Sequence, residues 1–538
     1  STVLTVGITI RPVNDPPGII SSKSARWVSG KSGIVYTAKG SDPDGDELRW
    51  SISGTDAKLF SIDSESGQLR FITAPDYYKP GDKDLNNKYE LILTASDGKL
   101  SVDMPLTIIV DPSAYSGAGE ENHTAAVLID GVKHSMGSYK TGREPDGRDS
   151  VEMLIGSEDI KELSGSLKQG SVITVSMPFG FDKYSLELKG DIVLALEEQD
   201  ALLHMETGLA TYMLPASQIG IGAAAQRLGA DNLKDISVSI AISRTDDKLS
   251  SKAENTAQES GINIMIPAVD FTVVCSFESS SFNVDTFGAY INRLLPLPVD
   301  VEPEDINTGV IVEASGDIYP VPTQLVTING KNYVKISSMT NSTYTLVSKK
   351  VEFTDLKGHW ASYEINDMGS RLIINGMGNN RFEPDKYMTR AQFATVIVKA
   401  LGLAPGMGSC QFTDVKSGEW YKGYIETAVE YGLIYGYGDG TFGPNETITR
   451  EQAATMIARA MKLVGLSVKL DSNSISQMMT LYKDGFDTSR YAGESVAICL
   501  YYNLISGRSD NRLAPKEDIT RAEVAVMVQR MLVKANLI

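Results

Sequence analysis

The sequence predicts a multidomain protein in which all-β domains over residues 1–350 are followed by an all-α region over residues 351–538. Short segments of alternating apolar and polar residues, separated by Gly, Pro and Asp turns, fill the first part and are typical of β-strands. The second part repeats one pattern three times, with apolar residues at helical spacing in each copy. A length of 538 residues allows three to five domains.

Charge is distributed unevenly between the two parts. Residues 351–538 contain 20 Lys+Arg and 21 Asp+Glu of the 50 and 68 in the whole chain, which leaves 30 and 47 for residues 1–350. The net charge is therefore −1 in the helical region and −17 in the β region. Such acidity suits an extracellular stalk or a calcium-binding protein, and it argues against nucleic acid as a partner.

The first 15 residues are predicted to be the end of a preceding β repeat and a linker. Residues 13–17 (Val-Asn-Asp-Pro-Pro) resemble the junction between tandem cadherin-like or immunoglobulin-like repeats of bacterial surface proteins. The start of the chain has neither the basic segment nor the long apolar stretch of a signal peptide. We therefore expect the chain to be the C-terminal piece of a longer protein.

Residues 16–112 are predicted to form one cadherin-like β-sandwich. Strands are expected at residues 33–36, 48–52, 69–72, 89–95 and 104–110. The acidic turns between them resemble the calcium-binding loops of cadherin-like domains, and calcium prefers such oxygen ligands. The candidate ligands are Asp42, Asp44, Asp76 and Asp97, with Asn14 and Asp15 in the inter-repeat linker. Turns favour Asp in any case, and Tyr78 stands where similar repeats carry Glu, so calcium is possible rather than required.

Residues 113–122 are predicted to be a linker, and residues 123–350 a mostly β domain. Strands are expected at residues 236–242 and 262–266, with a hairpin about Asn329-Gly330 and short helices near 218–228 and 284–295. The domain resembles the region that precedes the anchor in Paenibacillus-type surface proteins. We interpret it as a rigid adaptor, and a separate ligand-binding role is the alternative.

Three repeats follow, over residues 351–408, 409–470 and 471–538. In each repeat an aromatic residue is followed sixteen residues later by a glycine, and an arginine comes fourteen residues after the glycine. The aromatic residues are Trp360, Trp420 and Tyr491, the glycines are Gly376, Gly436 and Gly507, and the arginines are Arg390, Arg450 and Arg521. Spacing this regular identifies a repeated module.

These repeats resemble a triplet of S-layer homology domains, which hold surface proteins to the Gram-positive cell wall. The resemblance implies a pseudo-threefold body with grooves between neighbouring units. It also implies that the grooves bind a secondary cell-wall polymer attached to peptidoglycan, which typically ends in a pyruvylated amino sugar. The third repeat departs most from the pattern, because Tyr491 replaces Trp and Leu513 replaces an aromatic residue in the loop.

A capping box is predicted at the start of the second helix of each repeat. The threonines Thr389, Thr449 and Thr520 stand three residues before Gln392, Gln452 and Glu523. Capping does not explain the arginine that follows each threonine, because a helix N-terminus disfavours a cation. Either a carboxylate neutralises each arginine, with Asp355, Asp414 and Asp484 as candidates, or a ligand anion does, using N–H groups of the helix end as well.

The other repeated residues have structural and functional interpretations. Gly376, Gly436 and Gly507 are expected to end the first helix of each repeat as left-handed caps. Trp360 and Trp420 could stack on a sugar, but core packing is favoured because each opens an amphipathic helix. If the aspartates do not pair with the arginines, they could hydrogen-bond sugar hydroxyls.

No catalytic motif is recognised in the chain. Its three cysteines, Cys275, Cys410 and Cys499, are expected to be free thiols, and its four histidines lack the spacing of zinc ligands. No apolar run has the length of a membrane helix. We therefore expect an extracellular, non-catalytic anchor of the cell wall or S-layer. The alternatives are a self-associating, calcium-dependent adhesin or lattice protein, and the anchor of a displayed polysaccharide hydrolase whose catalytic domain lies upstream.

Overall fold

The computed structural model describes residues 14–29, 31–75, 81–83, 87–111, 123–178, 180–298, 301–328, 330–406, 408–508 and 510–538. The chain divides into two compact units, one within residues 1–119 and one covering residues 120–177 and 182–538. Most of the predicted terminal strand and linker, the segment 113–122 and the candidate ligand Asp76 lie outside the described residues.

The first unit is built from three small sheets around one core. Its strands are β1 (Gly18–Ile19), β2 (Ser24–Val28), β3 (Tyr36–Thr37), β4 (Gly40–Ser41), β5 (Arg49–Ser53), β6 (Phe60–Ile62), β7 (Gln68–Phe71), β8 (Lys88–Ser96) and β9 (Ser101–Asp111). One sheet has the order β2-β9-β8-β5, a second has the order β3-β7-β6, and the third is the antiparallel pair of β1 and β4. Alternate residues of β8 are buried, and Phe60, Phe71 and Tyr89 pack ring against ring between the sheets. A strand lies at or beside each predicted position.

The second unit begins with a large sheet that is nearly closed. Its strands are β10 (His123–Ile129), β11 (Val132–Arg143), β12 (Asp149–Ile155), β13 (Val172–Ser176), β14 (Lys183–Lys189), β15 (Leu202–Glu206), β16 (Thr211–Pro215), β17 (Ser237–Arg244), β18 (Asn263–Ile264), β19 (Val269–Phe277), β20 (Ser280–Asn283), β21 (Thr286–Pro296), β22 (Thr308–Val312), β23 (Ile318–Val321), β24 (Thr323–Ile328), β25 (Lys331–Thr340) and β26 (Thr343–Ser348). The predicted hairpin corresponds to β24 and β25, which pair antiparallel.

Four helices accompany this sheet in the described residues. They are α1 (Ile160–Ser166), α2 (Gly190–Glu198), α3 (Ile221–Leu228) and α4 (Asp247–Glu259). The helix predicted near residues 218–228 is confirmed by α3, whereas the helix predicted at 284–295 is wrong, because strand β21 occupies those residues. Along β21, Ile291, Arg293 and Leu295 alternate as fully buried residues, and pairing with β16 and β25 outweighs their helix propensity.

The three repeats form the helical end of the second unit. Their helices are α5 (Ser362–Ser370), α6 (Arg390–Ala400), α7 (Lys422–Glu430), α8 (Arg450–Leu463), α9 (Ser472–Thr480), α10 (Gly493–Tyr501) and α11 (Arg521–Lys534). The predicted capping boxes are confirmed at the starts of α6, α8 and α11. The apolar faces of the helices bury one continuous core that all three repeats share.

Each repeat is hydrogen-bonded to both of the others. Short antiparallel bridges join residue 389 to 447, 449 to 518 and 387 to 520. They link the first repeat to the second, the second to the third and the third to the first. The three repeats therefore form a closed cycle of contacts.

The β domain of the second unit packs directly against the repeats. The partly buried Tyr290 donates its hydroxyl to the carbonyl of Leu401 over 2.8 Å, and Arg371 donates to the carbonyl of Thr323. Gln324 donates to Asn536 and to the carbonyl of Ile538 near the end of the third repeat. Met339 of β25 belongs to the core of the repeats. The domain boundary predicted at residue 350 is thus a change of element type inside one compact unit.

Candidate anion-binding grooves

Each of the three arginines reaches from its own repeat into the loop of the next. Arg390 donates Nε to the carbonyl of Phe442 over 2.7 Å, Arg450 donates Nε to that of Leu513 over 2.9 Å, and Arg521 donates Nε to that of Phe382 over 2.9 Å. All three are buried, and loss of hydration lowers the pKa of each below its ordinary value. The cations therefore line the boundaries between repeats.

The N–H groups at the starts of the second helices are already paired. The first helical N–H of α6, α8 and α11 donates to a carbonyl of the neighbouring loop, at Glu446, Glu517 and Lys386 respectively. The next N–H donates to the carbonyl of Pro444, Pro515 or Pro384, and the third bonds the capping threonine. The expectation that these helix ends supply N–H groups to an anion is therefore wrong. They join repeat to repeat instead, and the guanidinium groups are the remaining positive charge at the boundaries.

The three aspartates organise the loop of their own repeat. Asp355 accepts the backbone N–H groups of Phe382 and Glu383 at 2.9 and 2.8 Å, and Asp414 and Asp484 accept the equivalent N–H groups of their loops. None of them forms an ion pair with Arg390, Arg450 or Arg521 in the described structure. Burial by itself would raise the pKa of Asp355, but the two N–H bonds outweigh it, so the pKa lies below its ordinary value.

The three glycines are required for close packing and not for a left-handed cap. A Cβ atom on Gly376 would lie 2.8 Å from the carbonyl oxygen of Arg381 and 2.8 Å from the ring of Phe353, and Gly436 and Gly507 are equally crowded. The left-handed residue after the first helix comes four residues earlier, at Leu372, Gly432 and Asn503. The predicted C-cap role is therefore wrong, because the helix has already ended where these glycines lie.

The aromatic residues that open the first helices are exposed. Trp360 and Trp420 keep 63% and 60% of their surface, and Tyr491 keeps 59%. Core packing of the two tryptophans, which the amphipathic pattern favoured, is wrong, because Ala361, Tyr421 and Ala492, one position later, turn inward instead. The aromatic residues of the loops, Phe382 and Phe442, are fully buried against Phe353 and Phe412.

The three boundaries differ in charge balance. Arg450 is paired with Glu523, which also completes the capping box of α11. Beside it, the buried Glu451 accepts from Ser489, Tyr491 and Lys516. A cleft of about 250 Å³, including its open mouth, lies next to Arg450 and Glu451 and has mostly apolar walls. At this boundary the charge of Arg450 is therefore already neutralised by Glu523, a residue of the protein itself.

The other two boundaries have an unpaired arginine. Across the described residues, no Asp or Glu oxygen lies within 4.0 Å of the guanidinium of Arg390 or Arg521. The guanidinium carbon of Arg390 lies 4.5 Å from the ring centre of Tyr437 and 4.7 Å from that of Phe442. The guanidinium carbon of Arg521 lies 4.3 Å from the ring centre of Phe382. Burial has removed water from these guanidinium groups, and no carboxylate replaces it. Binding of an anion would therefore stabilise them.

The candidate calcium ligands of the first unit are connected by hydrogen bonds. Asn14 donates to Asp97 over 2.7 Å, and Asp42 accepts the N–H groups of Asp44 and Asp46. The ammonium of Lys99 lies 2.8 Å from Asn14 and 3.0 Å from Asp46. Within the described ranges no group of three or more His, Cys, Asp or Glu side chains could hold a metal ion. The described residues therefore form a lysine-bridged acidic cluster.

The three cysteines are free thiols, as predicted. Cys275 and Cys499 are buried, and Cys410 is partly exposed. Burial raises the pKa of the Cys275 thiol to about 11, and it raises that of Cys499 as well, which suppresses the reactive thiolate. No helix in the described part of the chain combines the length and apolarity needed to cross a membrane.

The fold and the grooves define a β protein that ends in a cyclic helical module with charged boundaries. The family model "S-layer homology domain" matches residues 352–394, 411–454 and 481–525. The chain therefore carries three S-layer homology domains, and it is part of a cell-wall-associated surface protein. These domains are anchoring modules that bind cell-wall polymer.

Each of three relatives matches between 21% and 36% of this chain. The chain is 35% identical over 191 residues to the exoglucanase XynX of Acetivibrio thermocellus, covering 36% of this chain and 17% of that protein. It is 38% identical to the cellulosome-anchoring protein of A. thermocellus, covering 21% of this chain and 27% of that protein. It is 29% identical to the surface-layer 125 kDa protein of Lysinibacillus sphaericus, covering 34% of this chain and 15% of that protein. The chain thus spans at most 27% of the length of these relatives.

Solved structures similar to parts of the chain include cadherin ectodomains. The first two cadherin repeats of human protocadherin-24 match with 18% identity and a TM-score of 0.17, covering 22% of this chain and 49% of that one. A TM-score this low carries no argument about the fold.

Proposed function

We propose that the three repeats form a pseudo-threefold anchor that holds a larger surface protein on an anionic secondary cell-wall polymer. The observation that carries the proposal is the pair of buried arginines, Arg390 and Arg521, that lack a carboxylate partner at two of the three repeat boundaries. Each would receive a carboxylate or phosphate of the polymer as a charge-assisted, bidentate hydrogen-bond partner. The exposed Trp360, Trp420 and Tyr491 supply surfaces on which sugar rings stack.

Arg450 has a different part in this proposal. Its charge is already used by Glu523, so it contributes less to the recognition of a ligand anion than Arg390 or Arg521. The three aspartates and Gly376, Gly436 and Gly507 act indirectly in this proposal. They fix the loops whose carbonyls accept from the arginines.

The test is sedimentation of the complete chain with purified sacculi, before and after chemical removal of the secondary polymer. Arg390→Gln and Arg521→Gln are each expected to weaken binding by about tenfold or more, because a charged hydrogen bond contributes roughly 1.5–3 kcal/mol. Arg450→Gln is the matched variant at the neutralised boundary and is expected to change binding less than about threefold. Equal binding to extracted and intact sacculi would refute polymer recognition.

The upstream β domains are proposed to act as a spacer. A cadherin-like sandwich at residues 16–112 and a rigid adaptor at 123–350 would hold the remaining protein away from the wall, and their acidity suits a soluble surface stalk. Self-association of these domains is the adhesin alternative, which analytical ultracentrifugation of the complete chain with and without calcium would detect.

Calcium binding by Asp42, Asp44, Asp76 and Asp97 stays a prediction from the sequence. The buried Oδ2 of Asp42 has no hydrogen-bond partner, which favours a cation there, whereas the ammonium of Lys99 already fills part of that role. If calcium binds, the melting temperature rises with added calcium and falls with a chelator. An unchanged melting temperature would indicate that the ammonium of Lys99, and not calcium, neutralises this acidic cluster.

The activity of the whole protein is a separate proposal. Because the exoglucanase and the cellulosome-anchoring relative match only 36% and 21% of this chain, either a displayed polysaccharide hydrolase or a non-catalytic surface protein is compatible with this chain. The sequence of the complete gene decides between them.

A further inference from the structure

A feature of the boundary between the first and second repeats has no counterpart at the other two. Residues 435–437 read Tyr-Gly-Tyr, whereas the equivalent residues are Asn375-Gly376-Met377 in the first repeat and Ser506-Gly507-Arg508 in the third. Both tyrosines are exposed, at 63% and 47%. The glycine between them is held close to Phe412 and the backbone of Thr441, which fixes the segment.

Two arginines from different repeats stack on these two rings. The guanidinium carbon of Arg390 lies 4.5 Å from the ring centre of Tyr437, and that of Arg459 lies 4.4 Å from the ring centre of Tyr435. Arg459 belongs to α8 and also donates to the carbonyl of Leu433. Like Arg390, it has no Asp or Glu oxygen within 4.0 Å in the described part of the chain. Two cations without carboxylate partners therefore flank one short segment.

The residues equivalent to Arg459 lack this arrangement. Lys399 in α6 lies 5.9 Å from the ring of Tyr424, and Arg530 in α11 donates to the carbonyl of Asn503 with no aromatic partner among the described residues. A guanidinium stacked on a tyrosine keeps its outward N–H groups free for an oxyanion, and the exposed ring offers a flat surface for a sugar.

We propose that Arg459 and Tyr435 form a second subsite beside Arg390, which binds the next sugar of the polymer through an oxyanion on that sugar. The inference rests on the proposed function, because it extends the groove at Arg390 to a ligand of at least two sugar units. The oxyanion is either a carboxylate or a phosphate. Such a groove would discriminate between a single terminal sugar and a longer polymer segment.

The probe is polymer released from sacculi and separated into single-unit and longer fragments, titrated calorimetrically into the complete chain. Arg459→Gln is expected to weaken binding of the longer fragments about tenfold and of the single-unit fragment less than twofold. Arg530→Gln, at the equivalent position of α11, is the matched control and should change neither. Mild-acid removal of acetal-linked carboxylates and enzymatic removal of phosphates then identify which oxyanion Arg459 recognises.

Other outcomes separate the subsite from the anchor. If the wild-type chain binds the longer fragments and Arg390→Gln weakens them, but Arg459→Gln leaves them unchanged or weakens both fragments equally, the subsite is refuted and the anchor stands. If no fragment binds the wild-type chain, the proposed function itself fails. Should Arg459→Gln unfold, Arg459→Lys and Tyr435→Ala test the same subsite, and both are expected to weaken the longer fragments selectively.

Discussion

At the residue scale, the conserved chemistry of each repeat is divided between a cation at the boundary and an anion inside the loop. The aspartate uses both carboxylate oxygens to hold two consecutive loop N–H groups, and the same loop then presents a carbonyl to the arginine of the preceding repeat in the cycle. Loss of the aspartate is therefore expected to alter the groove through the loop that it holds.

Asp355→Asn is expected to destabilise the chain by about 1–3 kcal/mol, because an amide group can accept only one of the two N–H groups and turns its own NH₂ toward the other. Thermal or denaturant unfolding measures this. Asp385→Asn in the same loop is the control, since the side chain of Asp385 is 90% exposed. A loss as small as that of the control would show that the two N–H bonds contribute little.

The same substitution has a predicted pH dependence. The folded-state pKa of Asp355 lies below its ordinary value, so its contribution to stability is present above the unfolded pKa of about 3.9 and is lost as the pH falls through the folded value. The stability difference between wild type and Asp355→Asn should therefore be constant from about pH 7 to 5 and shrink below about pH 4. Chemical unfolding at several pH values tests this sign.

Gly436→Ala is expected to destabilise the second repeat by about 1–3 kcal/mol or more, because the new methyl group would overlap the carbonyl oxygen of Thr441 and lie 2.5 Å from the ring of Phe412. Gly493→Ala is the matched control, since a methyl group there meets no atom within 4 Å. Comparable melting temperatures for the two variants would contradict the packing role of Gly436.

At the element scale, the starts of the second helices serve as the joints between repeats. Their first two N–H groups bond the neighbouring loop and their third bonds the capping threonine, so the helix end is fully paired. The sequence predicted the capping box because that motif is local. It could not predict the inter-repeat bonds, because their acceptors are backbone carbonyls that lie about 53 to 138 residues away in the sequence, and a local pattern does not report such contacts.

Other misassignments at this scale have the same origin. The pattern placed Trp360 and Trp420 on the apolar face, but the helices begin two residues later, so the tryptophans precede the first turn and remain exposed. The predicted helix at residues 284–295 failed because strand pairing in the large sheet decides its structure. Arg293 on that strand is fully buried among Tyr212, Phe271 and Tyr344. The local sequence pattern does not predict this contact, because the three rings are distant in the sequence.

Glu523→Gln should convert the boundary between the second and third repeats into one that binds an anion. Glutamine keeps the capping box, as Gln392 and Gln452 do in the other repeats, but it no longer neutralises Arg450. We expect the melting temperature to fall by a few degrees and binding to sacculi to tighten about three- to tenfold. The control is Glu494→Gln, on an exposed position of α10. Unchanged binding would show that charge at this boundary is not the limiting factor.

At the scale of the whole molecule, the β domain at residues 123–350 and the repeats of the second unit share a core and cross-domain hydrogen bonds. The sequence predicted a largely β part followed by a helical region, since composition and repeats report on them. It did not predict that residues 123–350 and 351–538 form one compact unit, because the contacts are made by ordinary residues such as Tyr290 and Gln324. The anchor and its adaptor are therefore expected to unfold together.

Tyr290→Phe tests this coupling. Removing the hydroxyl leaves the carbonyl of Leu401 without its partner and should lower stability by about 1–2 kcal/mol while keeping a single unfolding transition for residues 123–538. Tyr363→Phe, on a side chain that is 74% exposed, is the control. Separate transitions for the β domain and the helices in wild-type protein would contradict one cooperative unit.

The closed cycle of repeats also constrains how the anchor is made. Arg521 bonds the carbonyl of Phe382, a residue 139 positions earlier, so a chain that emerges from its N-terminal side completes the first repeat only after α11 has followed. Until then the loop carbonyls of the first repeat await their partners. A chain that stops before α11 would lack the contacts between the third repeat and the first, so the cycle of repeats would stay open. Only a chain synthesised through α11 is therefore expected to form the complete anchor.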